Sequence, residues 1–377
     1  MTDRDAYIIL NMISGVGPVR LSRLCERFGS PSSVLSARKN ELSSVDGVGP
    51  VLGEEIAGWK DNIDFEEELK LVEKAGVKII TRLDADYPQC LAELPDAPLC
   101  IYVRGSCRAM SGNLIGVVGS RRISSYGRRM AEYLSASAAY AGWKVVSGLA
   151  FGADAVAHDA VVNAGGITVA VLGGGLARIF PQDHIPLARR MIESGGALIS
   201  EFPMEFPPNK RSFPMRNRII SGLSLGTLVV EAGSSSGALI TAKFALEQGR
   251  MVFAVPGEAD NPQARGCNRL IRDGAKLVEN FDDVLEEFEF LPGVLEKTSG
   301  KTSRSFEDGI EKKSDADLKL EEDEAKIIAL LEEGSKSADV LATESKIAVG
   351  RLLALLMRME MKKIIRQEPG KVFSIRR

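Results

Sequence analysis

Residues Leu114 to Arg122 read LIGVVGSRR, a short apolar run that ends in a turn of glycine, serine and two arginines. A run that is apolar throughout is typical of a strand buried on both faces, as in a parallel sheet. Strands that alternate with helices predict an α/β fold with an extended, Rossmann-like parallel sheet at its core. The other runs of this kind are Lys144–Ser147, Thr168–Leu172, Ala197–Ser200, Thr227–Val230 and Met251–Val255.

The stretches around this core divide the chain into further domains. Residues 1–80 lack strand alternation and contain two similar turns, ISGVGP at Ile13–Pro18 and VDGVGP at Val45–Pro50, each followed by a helical stretch. An apolar-Gly-apolar-Gly turn between short helices resembles the helix-hairpin-helix element, so a SAM/helix-hairpin-helix-like domain is expected here. Such a turn either contacts a DNA phosphate or only packs helices together, and both interpretations stay open.

The central Rossmann-like domain is expected over residues 81–288 and a charged linker, rich in Ser, Lys and Glu, over residues 289–318. Residues 319–377 show helical periodicity and then a strand-like end, which predicts a winged-helix domain. A winged helix of mixed charge binds either double-stranded DNA or another protein, and the sequence does not decide between the two.

Composition limits the class of protein. The chain has 377 residues, 45% of them hydrophobic and 26% charged, as expected of a globular protein with two or three domains. The first ten residues, MTDRDAYIIL, carry too much charge for a signal peptide or a membrane span, so we expect a cytoplasmic protein that does not contact membranes. Five scattered Cys without a C-x-x-C pair and only two His indicate no metal site and no disulfide framework. The net charge of −3 means that any nucleic-acid site must concentrate its basic residues locally.

One stretch has that concentration. Residues 209–218 read NKRSFPMRNR and place four cations and one phenylalanine between an extended run and a short helix. Cations attract a sugar-phosphate backbone and a flat ring can stack on an unpaired base, a combination that suits single-stranded DNA. We therefore expect contacts to single-stranded DNA here. The ring of Phe213 could instead fill the core beneath the loop. It follows a polar serine and precedes Pro214, so either orientation is possible, and we favour stacking.

The turns at the strand ends predict further anion-binding groups, because open α/β sheets bind ligands at the carboxyl ends of their strands. The expected helix N-terminus after the first strand would direct backbone N–H groups at an anion. Each serine could instead cap a helix. The candidates are Ser120, Arg121, Arg122, Ser147, Gly148, Ser236 and Gly237.

The glycine-rich turns do not have the spacing of a nucleotide cofactor site. A dinucleotide site needs G-x-G-x-x-G and an acidic residue about twenty positions later. The first turn, GVVGSR at Gly116–Arg121, lacks that acid, and the third strand has Arg178 where the last glycine should be. The GKT at Gly300–Thr302 has Leu295 in place of the upstream glycine of a P-loop. No cofactor is expected.

Several motifs in order resemble the DprA/Smf family of DNA-processing proteins. They are GSRRISSYG, SGLAFGADAVAH, AVLGGGLARIFP, FPMRNRIISGLS, VVEAGSSSGALITAKFALEQGR, FAVPG and CNRLIRDGA, and together they extend from about residue 84 to residue 283. The resemblance implies a protein without enzymatic activity that binds and protects single-stranded DNA and forms a homodimer through its central domain. It also implies a partner, the RecA recombinase, which such a protein loads past single-strand-binding protein during natural transformation and recombination.

The resemblance also assigns roles to residues. Arg121 matches the family's arginine in the GSR turn, and Lys210 and Phe213 match its basic and aromatic positions. Arg216, Asn217 and Arg218 match its RNR motif, part of which is expected to hold the loop rather than the DNA. Ala153 stands where the family usually has isoleucine, which is a packing change. His158 is expected to tie its helix to a neighbouring turn.

Two other functions stay open. A related Rossmann-like group hydrolyses nucleotides with a P-G-G-x-G-T-x-x-E turn, but here Pro256-Gly257 is followed by Glu258 and Ala259. Glu201 and Glu231 remain as carboxylates for such a reaction. A regulatory scaffold that acts through the winged helix is the third interpretation.

Overall fold

Seven helices precede the first strand in this computed structural model, which describes residues 1–288 and, nearer the C-terminus, 323–324, 326–331, 334–345, 347, 352, 355–356, 359–360, 364–368 and 372–375. The seven helices are α1 Asp3–Met12, α2 Pro18–Phe28, α3 Pro31–Ser36, α4 Lys39–Ser43, α5 Pro50–Ala57, α6 Trp59–Asn62 and α7 Phe65–Lys74.

The two similar turns join α1 to α2 and α4 to α5, as predicted for helix-hairpin-helix elements. Gly15 and Gly47 have φ angles of 87° and 81°, a region that favours glycine, and proline begins each following helix. Arg20 donates hydrogen bonds to the carbonyl oxygens of both Gly15 and Gly47, at 2.6 and 2.8 Å. This arginine therefore holds the two turns side by side.

The central sheet has nine strands. They are β1 Val77–Thr81, β2 Cys100–Gly105, β3 Leu114–Val118, β4 Lys144–Ser147, β5 Thr168–Val171, β6 Ala197–Ser200, β7 Gly226–Val229, β8 Met251–Ala254 and β9 Lys276–Leu277. Their order across the sheet is β1-β2-β6-β5-β4-β3-β7-β8-β9. The six predicted strands are confirmed, and every residue of the parallel strands β3 and β5–β7 is buried, as a sheet covered on both faces requires.

The sheet differs from the prediction at both edges, where β1 and β2 extend it on one side and the short strand β9 extends it on the other. β2 runs antiparallel to both β1 and β6, so the sheet is mixed. β1 and β2 come from a stretch without the glycine-rich turns by which the six predicted strands were recognised. Because β1 begins at Val77, the sheet begins slightly before the expected boundary at residue 80. Residues 1–288 belong to one compact unit.

Helices cover both faces of the sheet. The helices of this region are α8 Gln89–Ala92, α9 Ser125–Tyr140, α10 Ala153–Asn163, α11 Ile185–Glu193, α12 Ser212–Leu223, α13 Ala238–Glu247, α14 Arg265–Arg272 and α15 Asp282–Leu285. Side chains of α9 and α10 pack on one face around Val117 and Val145. Side chains of α12 and α13 pack on the other face around Val118 and Val146.

The C-terminal unit matches the expected winged-helix architecture. Helix α16 (Ala338–Ser345) follows the short strand β10 (Lys336–Ser337), and the hairpin β11 (Ile365–Glu368) and β12 (Val372–Ile375) completes a three-stranded sheet. Leu341, Leu355 and Phe373 belong to its hydrophobic core. The expected linker, 289–318, lies outside the described residues. None of the helices in the described part of the chain has both the length and the apolar character needed to cross a bilayer.

Candidate nucleic-acid interface

An open cleft lies where the strand order of the sheet reverses. The chain runs from β3 through β6 in one direction and then returns to β7 on the other side of β3. Because Val118 pairs in parallel with Val229, the turns that follow β3 and β7 face each other across this point. Ligands of open α/β sheets bind at such a reversal. The cleft has a volume of about 820 Å³.

The cleft walls come from five separate segments: the turns after β3 and β7, the start of α10, the start of α12 and the segment that leads into α14. The polar lining residues are Ser120, Arg121, Arg122, Asp154, Lys210, Arg216, Asn217, Ser234, Ser235, Ser236, Thr241, Gln263 and Arg265. The cleft therefore unites the GSR turn, the basic stretch and the serine turn that the sequence suggested separately.

The cleft is strongly basic. Arg121, Arg122, Lys210 and Arg265 are exposed, and none of the four belongs to an ion pair among the residues that the structure describes. Asp154 is the carboxylate among the lining residues, and its burial raises the pKa of that carboxyl. In a chain whose net charge is −3, this local excess of free cations is suited to an anionic polymer.

Backbone contacts fix the turn after β3. Ser120 N donates to Glu231 O at 2.7 Å, Ala153 N donates to Ser120 O at 3.1 Å, and Ser120 Oγ accepts from Arg122 N. Gly152 is required at this junction, because a Cβ there would overlap the carbonyl oxygen of Ser120. Ser120 thus holds the turn, while the side chains of both following arginines extend into solvent.

The expected helix N-terminus is not available at this turn. Helix α9 begins only at Ser125, and its first turn is capped by Ser124, whose Oγ accepts from Gly127 N. Ser124 N and Oγ both donate to the Glu231 carboxylate. Anion binding by the turn after β3 therefore depends on the side chains of its arginines, because the Glu231 carboxylate already occupies the helix end.

Residues 212–218 of the basic stretch belong to a helix, whereas the sequence predicted a loop. Asn209 Oδ1 accepts hydrogen bonds from Arg211 N and Ser212 N at 2.9 and 3.0 Å, and α12 begins at Ser212. Lys210 lies at the exposed tip of this turn. These hydrogen bonds fix the start of α12, so Phe213 has a defined position in the first turn of that helix.

Phe213 is half-buried, and its surroundings are well defined. A Cβ added at Gly173 would come within 2.7 Å of Phe213 Cδ1, so the ring can occupy this position only because residue 173 has no side chain. The Arg121 guanidinium carbon lies 5.2 Å from the ring centroid, in cation–π geometry, and the Phe180 centroid lies 6.0 Å away. The ring is therefore neither fully buried in the core nor fully exposed for stacking on a base.

Arg216 lies on the floor of the cleft. It is 4% exposed, and its Nη1 donates to the carbonyl oxygens of Gly148, at 2.7 Å, and Val171. Burial lowers the pKa of this guanidinium to about 10. Its Nε donates to Asn217 Oδ1 at 3.1 Å, which orients the amide of a partly exposed lining residue. Arg216 thus fixes the turn after β4 and leaves Asn217 to face a ligand.

The structure does not bring Arg218 to the cleft. Successive helical residues are about 100° apart, so Arg216 and Arg218 lie on opposite sides of α12. Arg218 Nη2 lies 2.6 Å from Glu201 Oε2, and its Nε lies 3.3 Å from Asp96 Oδ2, with 8% of the arginine side chain exposed. This buried ion pair corrects the expectation that the second arginine of the RNR motif contacts DNA.

Ser147 and Gly148 also lie outside the lining, contrary to expectation. Ser147 is fully buried and its Oγ donates to Val117 O, while Gly148 N donates to Asp154 Oδ2 at 3.1 Å. Their polar groups bind the protein itself because α10 packs closely above β4. Ser236 and Gly237 do line the cleft, although Ser236 Oγ accepts from Ala238 N in the first turn of α13.

Arg265 and Gln263 were missed by the sequence analysis. Gln263 lies in the connection after β8 and Arg265 begins α14, and seven residues, 258–264, separate Arg265 from the VPG turn that follows this strand. The signal that could have identified these two residues is that they follow a strand whose carboxyl end lies at the same edge of the sheet as the cleft.

The two carboxylates considered for hydrolysis have structural partners. Glu201 pairs with Arg218 away from the cleft, and Glu231 binds Ser124. His158 is fully buried, with its Nδ1 2.7 Å from Thr168 Oγ1, so it ties α10 to strand β5 rather than to a turn.

Comparisons with known proteins agree with this architecture. Residues 78–289 match the family model for DNA recombination-mediator protein A, residues 311–371 match the DprA winged helix domain, and residues 7–57 match a SAM-like helix-hairpin-helix tandem. Protein Smf of Synechocystis is 33% identical over 98% of both chains, and the DNA processing protein DprA of Bacillus subtilis is 43% identical over 56% of this chain and 71% of its own.

Solved structures show the same fold. DprA from Streptococcus pneumoniae superposes with a TM-score of 0.65 at 33% identity, covering 77% of this chain and 99% of that one. DNA processing protein A from Helicobacter pylori, described for its unique single-stranded DNA binding mode, has a TM-score of 0.50 at 24% identity and covers 56% of this chain and 95% of its own. With the family model matched over more than half of its residues, the chain belongs to the DprA/Smf family of DNA-processing proteins.

Proposed function

We propose that the cleft binds single-stranded DNA, with its arginines and lysine on successive phosphates and Phe213 against an unpaired base. The observation that carries this proposal is a set of four exposed cations that line the cleft together with one aromatic ring and form no ion pair within the part of the chain that the structure describes. The phosphate contacts are assigned to Arg121, Arg122, Lys210 and Arg265. Serine and asparagine side chains on the walls add neutral donors, and the H. pylori relative binds the same class of ligand.

A salt titration tests the proposal. Each phosphate contact with a single strand contributes about 0.7 to the slope of log affinity against log salt concentration. Arg121→Ala and Lys210→Ala should each weaken binding of thymidine oligonucleotides and lower that slope by about this amount. Lys70→Ala, on the exposed face of α7, is the charge-matched control and should change neither. A slope near zero for the unaltered protein would contradict the nucleic-acid function.

We further propose a homodimer built on the central domain, because two clefts on one strand gain avidity. Leu246 of α13, Met251 of β8 and Leu277 of the edge strand β9 are 61%, 38% and 41% exposed, and this apolar surface supports an interface there. Sedimentation of the full chain at micromolar concentration should show a dimer that Leu277→Asp dissociates. A monomer at tens of micromolar would contradict the proposal.

The role in recombination is proposed as loading of RecA onto strands coated with single-strand-binding protein, without catalysis by the chain itself. Addition of the chain should shorten the lag before RecA hydrolyses ATP on coated strands, and Lys210→Ala should restore the lag. Release of free base from nucleoside monophosphates would instead support the hydrolase alternative.

The flanking domains are proposed as further contacts to double-stranded DNA or to protein. Duplex binding by the full chain that persists in Lys210→Ala would assign that contact to them.

A further inference from the structure

Two phenylalanines near the cleft are exposed although neither lines it. Phe180, in the connection between β5 and α11, is 50% exposed, and Phe151, between β4 and α10, is 43% exposed. Both connections begin at the carboxyl edge of the sheet. Exposed aromatic rings beside a cleft are candidates for a ligand contact, because a ligand that covers them removes apolar surface from water.

The two rings differ in what already covers them. Phe151 packs edge-on against the His184 ring, with centroids 4.9 Å apart, and His184 Nδ1 lies 2.8 Å from Leu149 O. Phe180 has the half-buried ring of Phe213 as its aromatic neighbour, with centroids 6.0 Å apart and planes inclined by 46°. Phe180 is therefore the more available ring, and it adjoins a cleft residue.

We propose that Phe180 is a second base-stacking site, which takes the unpaired nucleobase adjacent to the one at Phe213. This inference rests on the proposed function of the cleft. Arg121 lies over the Phe213 ring, so that ring offers only part of its surface to a base, whereas half of the Phe180 surface is open. An aromatic platform accepts any base, because every base has a π face.

The spacing of the rings favours a single strand as the ligand. Centroids 6.0 Å apart and inclined by 46° cannot both stack on neighbouring bases held at the duplex rise of about 3.4 Å per strand. An unpaired strand can open that step and place one base on each ring. With the proposed site, the path of the bound strand extends beyond the cleft, along the connection between β5 and α11 that carries Phe180.

The test uses the full chain and thymidine oligonucleotides in which one position at a time carries the fluorescent base 2-aminopurine. Stacking on a ring should alter the fluorescence at two adjacent positions in the unaltered protein. Phe180→Ala should abolish the change at one of them and weaken affinity roughly 5- to 150-fold, the range expected for loss of one base–aromatic stack, without changing the salt slope. Phe180→Tyr should restore both, and Tyr133→Leu, an exposed aromatic on α9, is the control.

The outcomes distinguish the second stacking site from the proposed function of the cleft. If Phe180→Ala keeps the fluorescence pattern and affinity of the unaltered protein while Lys210→Ala loses affinity, the second stacking site is refuted and the cleft stands. If the unaltered protein binds no oligonucleotide, both ideas fail. Loss of self-association in Phe180→Ala with DNA affinity intact would assign the ring to a protein interface and overturn the inference. Phe180→Leu provides the same comparison should the alanine variant not fold.

Discussion

Replacing Phe213 by alanine should weaken single-stranded DNA binding by about 1 to 2 kcal/mol, or roughly 5- to 30-fold. Base–aromatic stacking contributes about 1 to 3 kcal/mol per base. The lower part of that range applies here because Arg121 lies 5.2 Å over the ring and the ring edge rests against Gly173. No cation is removed, so the salt slope should stay unchanged.

The same variant should lose some stability. Truncation of a fully buried phenylalanine costs about 3 to 5 kcal/mol, and a half-buried ring should cost roughly half of that. Since the two losses are of similar size, affinity must be measured by fluorescence anisotropy at a temperature where the variant is folded. Urea denaturation reports the stability separately.

Two controls sharpen this experiment. Phe213→Tyr keeps the ring and should restore most of the affinity. Met215→Ala removes a neighbouring side chain of α12 that is 49% exposed and does not line the cleft, so it should leave binding unchanged. If folded Phe213→Ala binds as tightly as the unaltered protein, the ring only supports α12 and the stacking argument is refuted.

Three further substitutions, one of them with a matched glycine control, test residues that lie outside the cleft lining. Arg218→Ala leaves Glu201 buried without its partner and should reduce the free energy of unfolding by about 3 to 5 kcal/mol in urea, with an unchanged salt slope for DNA. Burial lowers the pKa of His158 from 6.5 to about 3, so its contribution to stability is complete above pH 6.5 and falls by about 1.4 kcal/mol per pH unit below it. His158→Gln should remove that slope from urea titrations between pH 7 and pH 5, and an unaltered slope would disprove the assignment. Gly148→Ala would overlap the Arg216 guanidinium and should lower the melting temperature, whereas a Cβ at Gly233 stays 3.4 Å from its nearest neighbour and should be tolerated; equal melting temperatures would contradict this.

The sequence by itself determined six of the nine strands of the central sheet and indicated the class of ligand that we propose. Apolar runs followed by glycine-rich turns identified the six central strands, because a strand covered on both faces has no polar side to display. The cations and phenylalanine of residues 209–218 indicated an anionic polymer with unpaired bases, because charge and ring type are properties of the side chains alone.

Only the tertiary structure decided which of those residues share a surface. Strand order placed β7 beside β3, and this brought Arg265 to Arg121 across 144 positions of sequence. Phe213 and Arg218 lie on different sides of α12, so Phe213 lines the cleft whereas Arg218 forms a buried ion pair. Hydrogen bonding to the protein itself removed Ser147 and Gly148 from the site. These assignments depend on packing between segments far apart in the chain, which no local pattern of residues contains.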